Sequence, residues 1–321
     1  MTPAAPAMNP ANPFQRVKRD MASVGFTGLT AFATFLIVAM LALILANILY
    51  FGWPSLSWAF VTGGTEKDMF NVDHAGVMPM IFGTAALVIL MTIFVVPIGV
   101  TTAIYLTEYA QHTALSTRII RGAVNNLAGV PSIVFGLFGL GFFINFVGQN
   151  MDSFLHPDSP EPIWGKPAII WAALTLAILT LPVVIVATEE ALKAIPNGLR
   201  EASLALGATK IQTILRIVIP QALPGILTGG ILAVGRGAGE VAPIMFTGAA
   251  YYMAKLPTSV TDQFMELGYH VFILSTQSPD IEKTRPILYA TVVVLLGLTF
   301  LLNVVAILVR NQMRRKMRSL H

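Results

Sequence analysis

Residues 197–220 read NGLREASLALGATKIQTILRIVIP, and the flanks on both sides are long and apolar. Leu199, Ala202, Ser203 and Leu206 recur at helical spacing on one face. Asn197 stands where a short polar side chain can accept from the free amides of a first turn. Gly207 follows where a helix end favours a left-handed residue. The pattern predicts a short amphipathic helix over about 198–206. Ile211, Ile214, Leu215, Val218 and Ile219 then repeat at i, i+3, i+4, i+7 and i+8 until Pro220 interrupts them, with Pro224 one turn on. This second pattern reads as an interfacial helix bending into the next apolar run. An ordered amphipathic segment set between two long apolar runs belongs to an all-α, polytopic membrane protein.

Outward from this stretch lie the apolar runs 168–188 and 215–249, and beyond them 24–51, 77–105, 122–148 and 287–309. Each reaches or exceeds the roughly 20 apolar residues a bilayer crossing needs, so six transmembrane helices are expected. None alternates over about ten residues as a barrel strand would. Of the 321 residues 55% are hydrophobic and only 11% charged, against about 25% charged in soluble domains. A soluble particle of this size would lack a charged surface.

Absences narrow the chemistry. With no cysteine, disulfides, thiolate metal sites and cysteine nucleophiles are excluded. The five histidines form no ligand-spaced pair. No G-x-x-x-x-G-K-[ST] loop occurs, so nothing here could cradle the phosphates of ATP in that way. The net charge of +4 raises the question of nucleic acid, and the placement of the basic residues answers it. With the N-terminus inside, fourteen Lys and Arg fall on the cytoplasmic side and five (Lys67, Lys166, Lys255, Lys283, Arg285) on the other, Arg236 lying within a span. That asymmetry puts both termini in the cytoplasm. The basic run Arg310–Arg318 reads as an anchor near anionic lipid. The outer loops 52–76, 149–167 and 250–286 hold ten of the sixteen acids and are the face for an external partner. The chain thus divides into a basic, disordered cytoplasmic tail (1–20), a first helix with its outer loop (21–76), a transmembrane domain (77–309, with the loop of about 197–220) and a basic tail (310–321).

The fifth run carries the most unusual chemistry, Gly235-Arg236-Gly237-Ala238-Gly239-Glu240-Val241-Ala242-Pro243. Each charge at mid-membrane costs about 2.5–3.5 kcal/mol on insertion scales. Arg236 and Glu240, at i and i+4, share a helix face and can pair, and the glycines let a helix or ligand come close. Two readings stand. Arg236 can meet an oxyanion with its planar fork, with Glu240 holding it or accepting a proton-bearing oxygen. Alternatively, the pair only fixes helix packing. Elsewhere, Asn125 and Asn126 read as a helix cap, with lining of a pathway as the alternative; Glu108 with Arg118 and Arg121 reads as a solvated inner loop, with contact to an ATPase as the alternative; and Trp53, Trp58, Trp164 and Trp171 read as an interfacial belt.

Glu201-Ala202-Ser203, Gly207 and Ile217-Val218-Ile219-Pro220 resemble the EAA loop of ABC importer permeases, with Ser203 for the second alanine and Ile219 for the usual leucine. Arg236-x-x-Gly239-Glu240 followed by Ala242-Pro243-Ile244-Met245-Phe246-Thr247-Gly248 is similar to the permeases of phosphate importers, those of PstA type. The resemblance covers roughly 77–306 and implies a type I ABC importer permease fold in a bacterial inner membrane. It implies a coupling helix in which Glu201 and Gly207 shape the docking segment and Leu199, Ala202 and Leu206 supply apolar contact. It also implies a pathway carrying Arg236 and Glu240, a second permease subunit, two ATPase subunits that bind ATP and magnesium, and an extracytoplasmic phosphate-binding protein. No cofactor is expected on this chain. A permease for sulfate, molybdate or phosphonate stays open as an alternative, and so does a secondary anion transporter.

Overall fold

A computed structural model of the chain describes residues 21–65, 70, 75–111, 113–253 and 255–318. The expected N-terminal tail, 1–20, lies outside them. The chain divides after Asn47 into two units. The first is the body of α1 (Met21–Gly52), whose Phe26, Phe35 and Leu43 are exposed, as suits a helix with lipid as its solvent. The hydroxyls of Thr27, Thr30 and Thr34 bond to carbonyls one turn back, which removes their polarity from the surface.

The second unit takes in the end of α1, then a turn over Trp53–Ser55 and α2 (Trp58–Thr62), capped by the Ser57 hydroxyl accepting from the Phe60 amide. α3 (Met78–Ile104) ends in a π-turn, Tyr105–Tyr109. α4 (Leu115–Gly129) is amphipathic, and after Val130-Pro131 the third span runs through α5 (Ser132–Phe138), a π-segment Gly139–Gly148 and α6 (Gln149–Leu155). α7 (Ile169–Lys193) leads by three residues to α8 (Asn197–Ala205). α9 (Lys210–Thr213), a π-segment Ile214–Val218 and α10 (Ile219–Gly237) follow without interruption, then α11 (Ala242–Thr247), α12 (Leu267–Thr276) and α13 (Ile281–Arg318). Among the described residues, six helices are long and apolar enough to cross a membrane. Among the described residues the only β-pairing is an isolated bridge, Ala249 to Phe264.

The core is a three-helix stack of α3, α7 and α10, in which Leu87, Met91 and Val95 meet Leu176, Val184 and Ala233. Lipid is as apolar as leucine, so these helices are held by close van der Waals fit more than by escape from solvent. Glycine provides that fit. A Cβ on Gly99 of α3 would stand 2.6 Å from Val184 Cγ1, and one on Gly229 of α10 would stand 2.9 Å from Ala187 Cβ.

Several expectations change here. The third span starts at Ser132, not 122, because α4 is a separate helix whose apolar residues merge into the run. Asn125 and Asn126 therefore lie inside α4 and cap nothing. The fifth span does not continue to 249; its helix stops at Gly237. Pro220 and Pro224 sit within a continuous helix. Its preceding turn is wound as a π-segment, which suits a proline that lacks an amide donor. Trp171 is buried, 4% exposed, and donates to the Trp164 carbonyl at 2.7 Å, so it belongs to the core and not to a belt.

Candidate functional site

The break after α10 sits deep. Gly237 lies against Met91, the fourteenth of the 27 residues of α3, so close that a Cβ would stand 2.5 Å from its sulfur. Arg236 thus occupies the last turn of a helix that ends halfway along its neighbour. Gly239 and Glu240 amides turn back onto the Arg236 and Gly237 carbonyls, and α11 begins only at Ala242. Non-helical backbone at this depth is tolerated where protein or a water-filled cavity satisfies it. Glu240 lies in the break, so the pair does not share a helix face as the spacing suggests; the turn still brings Arg236 Nε to 3.4 Å from Glu240 Oε1. The Arg236 side chain is 44% exposed and that of Glu240 19%. Arg236 makes no hydrogen bond through its Nη groups among the described residues. The outer edge of the guanidinium fork is free, and that edge is the one that takes a phosphate-like oxyanion in two parallel bonds.

The α8 segment forms a second site. Its helix covers 197–205, one residue earlier than the periodicity predicts, because Pro196 with extended ψ takes the cap position and Asn197 becomes the first helical residue. The Asn197 side chain caps nothing; its Oδ1 instead receives Arg200 Nη1 at 3.4 Å. Gly207 takes φ +85°, as its place after the helix requires. The Gly207 amide bonds to the Leu204 carbonyl and that of Ala208 to Ser203, the paired bonds of a Schellman end. Leu199, Glu201, Ala202, Leu206 and Gly207 are all exposed, Leu206 at 89%. Ser203 is buried, sharing a 2.9 Å hydrogen bond with the buried Thr213 hydroxyl. α9 opens on a capping box, Thr209 with Gln212, which the Thr-x-x-Gln spacing carries in plain sight.

Behind α8 lies a cluster that residue spacing could not reveal. Glu108 is not solvated beside Arg118; its side chain is 9% exposed and pairs with Arg200 Nη2 at 2.8 Å. Arg121 reaches Glu189 at 3.2 Å, and Lys193 reaches the same carboxylate at 2.7 Å. A cavity of about 330 Å³ opens between these groups, lined by Thr107, Glu108, Arg121, Lys193, Asn197 and Arg200 among others.

On the far side of the break, α12 presents Gly268 against Val241, where a Cβ would stand 2.9 Å from Val241 Cγ2. Glu266 caps α12, accepting from the Tyr269 amide at 2.6 Å, with the Thr84 hydroxyl 3.4 Å away. Burial pushes the Glu266 carboxyl up from 4.5 to about 7, against the backbone bonds that favour its charge. Burial also pushes His270, one turn on, down from 6.5 to about 4. The two shifts oppose each other in their effect on stability. Glu266 stabilises the fold below pH 4.5 and loses that contribution as pH rises to about 7. His270 stabilises it above 6.5 and loses that contribution as pH falls to about 4. Between 4.5 and 6.5 the folded chain holds both neutral and the unfolded chain both charged, so the terms cancel. The melting midpoint of purified protein is therefore expected to gain opposite slopes in two variants. In Glu266→Gln it should climb with pH across that window by several degrees. In His270→Phe it should fall. Equal, unchanged slopes in both variants would show that neither group is buried as described.

Comparison with known proteins places this geometry. Residues 96–319 match the family described as the binding-protein-dependent transport system inner membrane component. A probable ABC transporter permease of Bacillus subtilis, YqgI, is 32% identical over 270 residues, 80% of this chain and 85% of that protein. The phosphate transport system permease protein PstA 1 of Mycobacterium tuberculosis is 35% identical over 237 residues, 72% of this chain and 69% of that protein. Among solved structures, a bacterial alginate ABC transporter has a chain that superposes with TM-score 0.61 over 94% of this chain and 98% of its own, at 15% identity. A chain of the inward-facing MetNI methionine ABC transporter gives 0.53 over 73% of this chain and 94% of its own, at 18%. These two likenesses support the fold, the type I ABC importer permease fold. With its six apolar helices and its family match over most of its length, the chain belongs to the binding-protein-dependent transport system inner membrane components, the multi-pass permease subunits of ABC importers.

Proposed function

We propose that this chain is the permease subunit of an ATP-driven phosphate importer, passing phosphate by Arg236 and Glu240 and taking its energy from a separate ATPase seated on α8. The observation that carries the substrate is the partly free guanidinium at the mid-depth helix break, with a carboxylate 3.4 Å from its Nε. Hydrogen phosphate offers oxyanions to Arg236 and a proton to Glu240. Sulfate has no proton near neutral pH and would be repelled by an acceptor-only carboxylate. The PstA relatives support the same substrate. Leu199, Glu201, Ala202, Leu206 and Gly207 form the docking face, all of them exposed. The fourteen-to-five division of basic residues supports a cytoplasmic position for that face and for both termini. On this reading the chain hydrolyses nothing itself. ATP and magnesium are held by two partner ATPases, a second permease completes the pathway, and an external phosphate-binding protein delivers the substrate.

The test is reconstitution with these companions in liposomes. Phosphate-loaded binding protein is expected to stimulate ATP hydrolysis and uptake, and sulfate-loaded protein to leave both at the basal level. Stimulation by sulfate alone overturns the phosphate assignment. Uptake without any ATPase overturns the ABC mechanism in favour of a secondary transporter.

A further inference from the structure

The loop between α7 and α8 is three residues, Ala194, Ile195 and Pro196, and a loop alone transmits a push poorly. The structure supplies a stiffer link. Arg200 of α8 turns inward, its side chain 16% exposed, away from the exposed docking residues. Its Nη2 donates to the Leu192 carbonyl at 2.9 Å and its Nη1 to the Ile195 carbonyl at 2.7 Å. The Leu192 carbonyl also takes the Ile195 amide at 3.3 Å, so the guanidinium grips the turn by which α7 ends. Along its other edge, Nε and Nη2 approach Glu108 Oε1 at 3.1 and 2.8 Å, in the π-turn that closes α3. One planar group therefore spans three elements, α8, the end of α7 and the end of α3. α7 in turn lies on α10 through Ala187 and Gly229, and α10 carries Arg236 at its other end.

We propose that Arg200, held by Glu108, is the positioning residue that conveys movement of α8 to α7 and α3, and through them to the Arg236 break. The proposal rests on the reading of α8 as the ATPase seat. A rigid fork suits this task because its donors are fixed relative to one another, whereas a lysine presents one nitrogen on a flexible stem. The docking face and this internal link lie on opposite sides of α8, so substitution can separate them.

The experiment uses the full complex in liposomes and reads three quantities: ATPase retained, basal hydrolysis, and hydrolysis and uptake stimulated by phosphate-loaded binding protein. Arg200→Gln is expected to retain ATPase and basal hydrolysis while stimulated hydrolysis and uptake fall about tenfold, within the range coupling residues show. Glu108→Gln, isosteric and outside α8, should fall in the same direction by about threefold. The double variant should be no worse than Arg200→Gln alone, because both remove one link. Arg200→Lys should lie between wild type and Arg200→Gln. Wild-type stimulation in Arg200→Gln overturns the proposal. So does loss of the ATPase from that variant while Glu108→Gln behaves as wild type, since Arg200 would then only shape the docking helix. Multiplying losses in the double variant would also overturn it. Gly207→Asp in the same preparation tests the seat itself: if the ATPase stays bound and stimulated there, α8 is not the seat, whatever Arg200 does.

Discussion

Replacing Gly207 by aspartate is expected to strip the ATPase from the complex while the chain still inserts and folds. At φ +85° a side chain is strained, and an L-residue in this left-handed region costs about 1–2 kcal/mol. Nothing lies within 4 Å of the Cβ position, so no neighbour has to move and the damage stays local. The strain falls on the Schellman end, whose bonds from Gly207 and Ala208 fix how α8 stops. The new carboxylate also stands next to Leu206, the most exposed apolar side chain of the segment, where a partner's apolar cleft would have to desolvate it. Gly207→Ala carries the strain without the charge and should keep part of the binding, with a loss of about 1 kcal/mol. Copurification of the ATPase with membrane-inserted permease measures both variants. Full retention in Gly207→Asp would remove the docking role from this segment.

Arg236→Gln should lower phosphate uptake at least a hundredfold with the complex intact, a factor that corresponds to about 2.7 kcal/mol. The neutral amide keeps a donor but loses both the charge and the fork. A second effect has to be separated, because glutamine also leaves Glu240 without its cation at depth. The double variant Arg236→Gln/Glu240→Gln does this. If Arg236 only neutralises Glu240, removing both charges restores uptake, as replacing a whole buried pair often costs little. If Arg236 meets the anion, the double variant stays inactive. Uptake of labelled phosphate in liposomes decides between them.

The α8 helix was legible because its signals are local. Gly207 marks the end, and four inward or apolar positions at helical spacing mark the body, so the boundaries fall within one residue. The six spans were legible because apolar length is a sum over neighbours. The break at 238–241 was not, since alanine, valine and glycine count as apolar whether or not the backbone is helical. Glu108 and Arg200 are 92 positions apart, and no periodicity joins them. Glu266 read as one more acid of an outer loop, although it is 2% exposed. Burial of that kind is set by α3 and α12 meeting, and sequence spacing does not record it.

The hydroxyl pair of Ser203 and Thr213 has an evolutionary consequence. Each is buried, at 6% and 3% exposure, and each is the other's partner across the turn from α8 to α9. Exchanging one for an apolar residue strands the other without water, at a cost of about 1–3 kcal/mol, while exchanging both for apolar residues of like shape is nearly neutral. Lineages that carry alanine at position 203 should therefore tend to carry an apolar residue at 213. The departure from the EAA pattern at Ser203 is thus one half of a linked substitution, and its other half lies ten residues downstream.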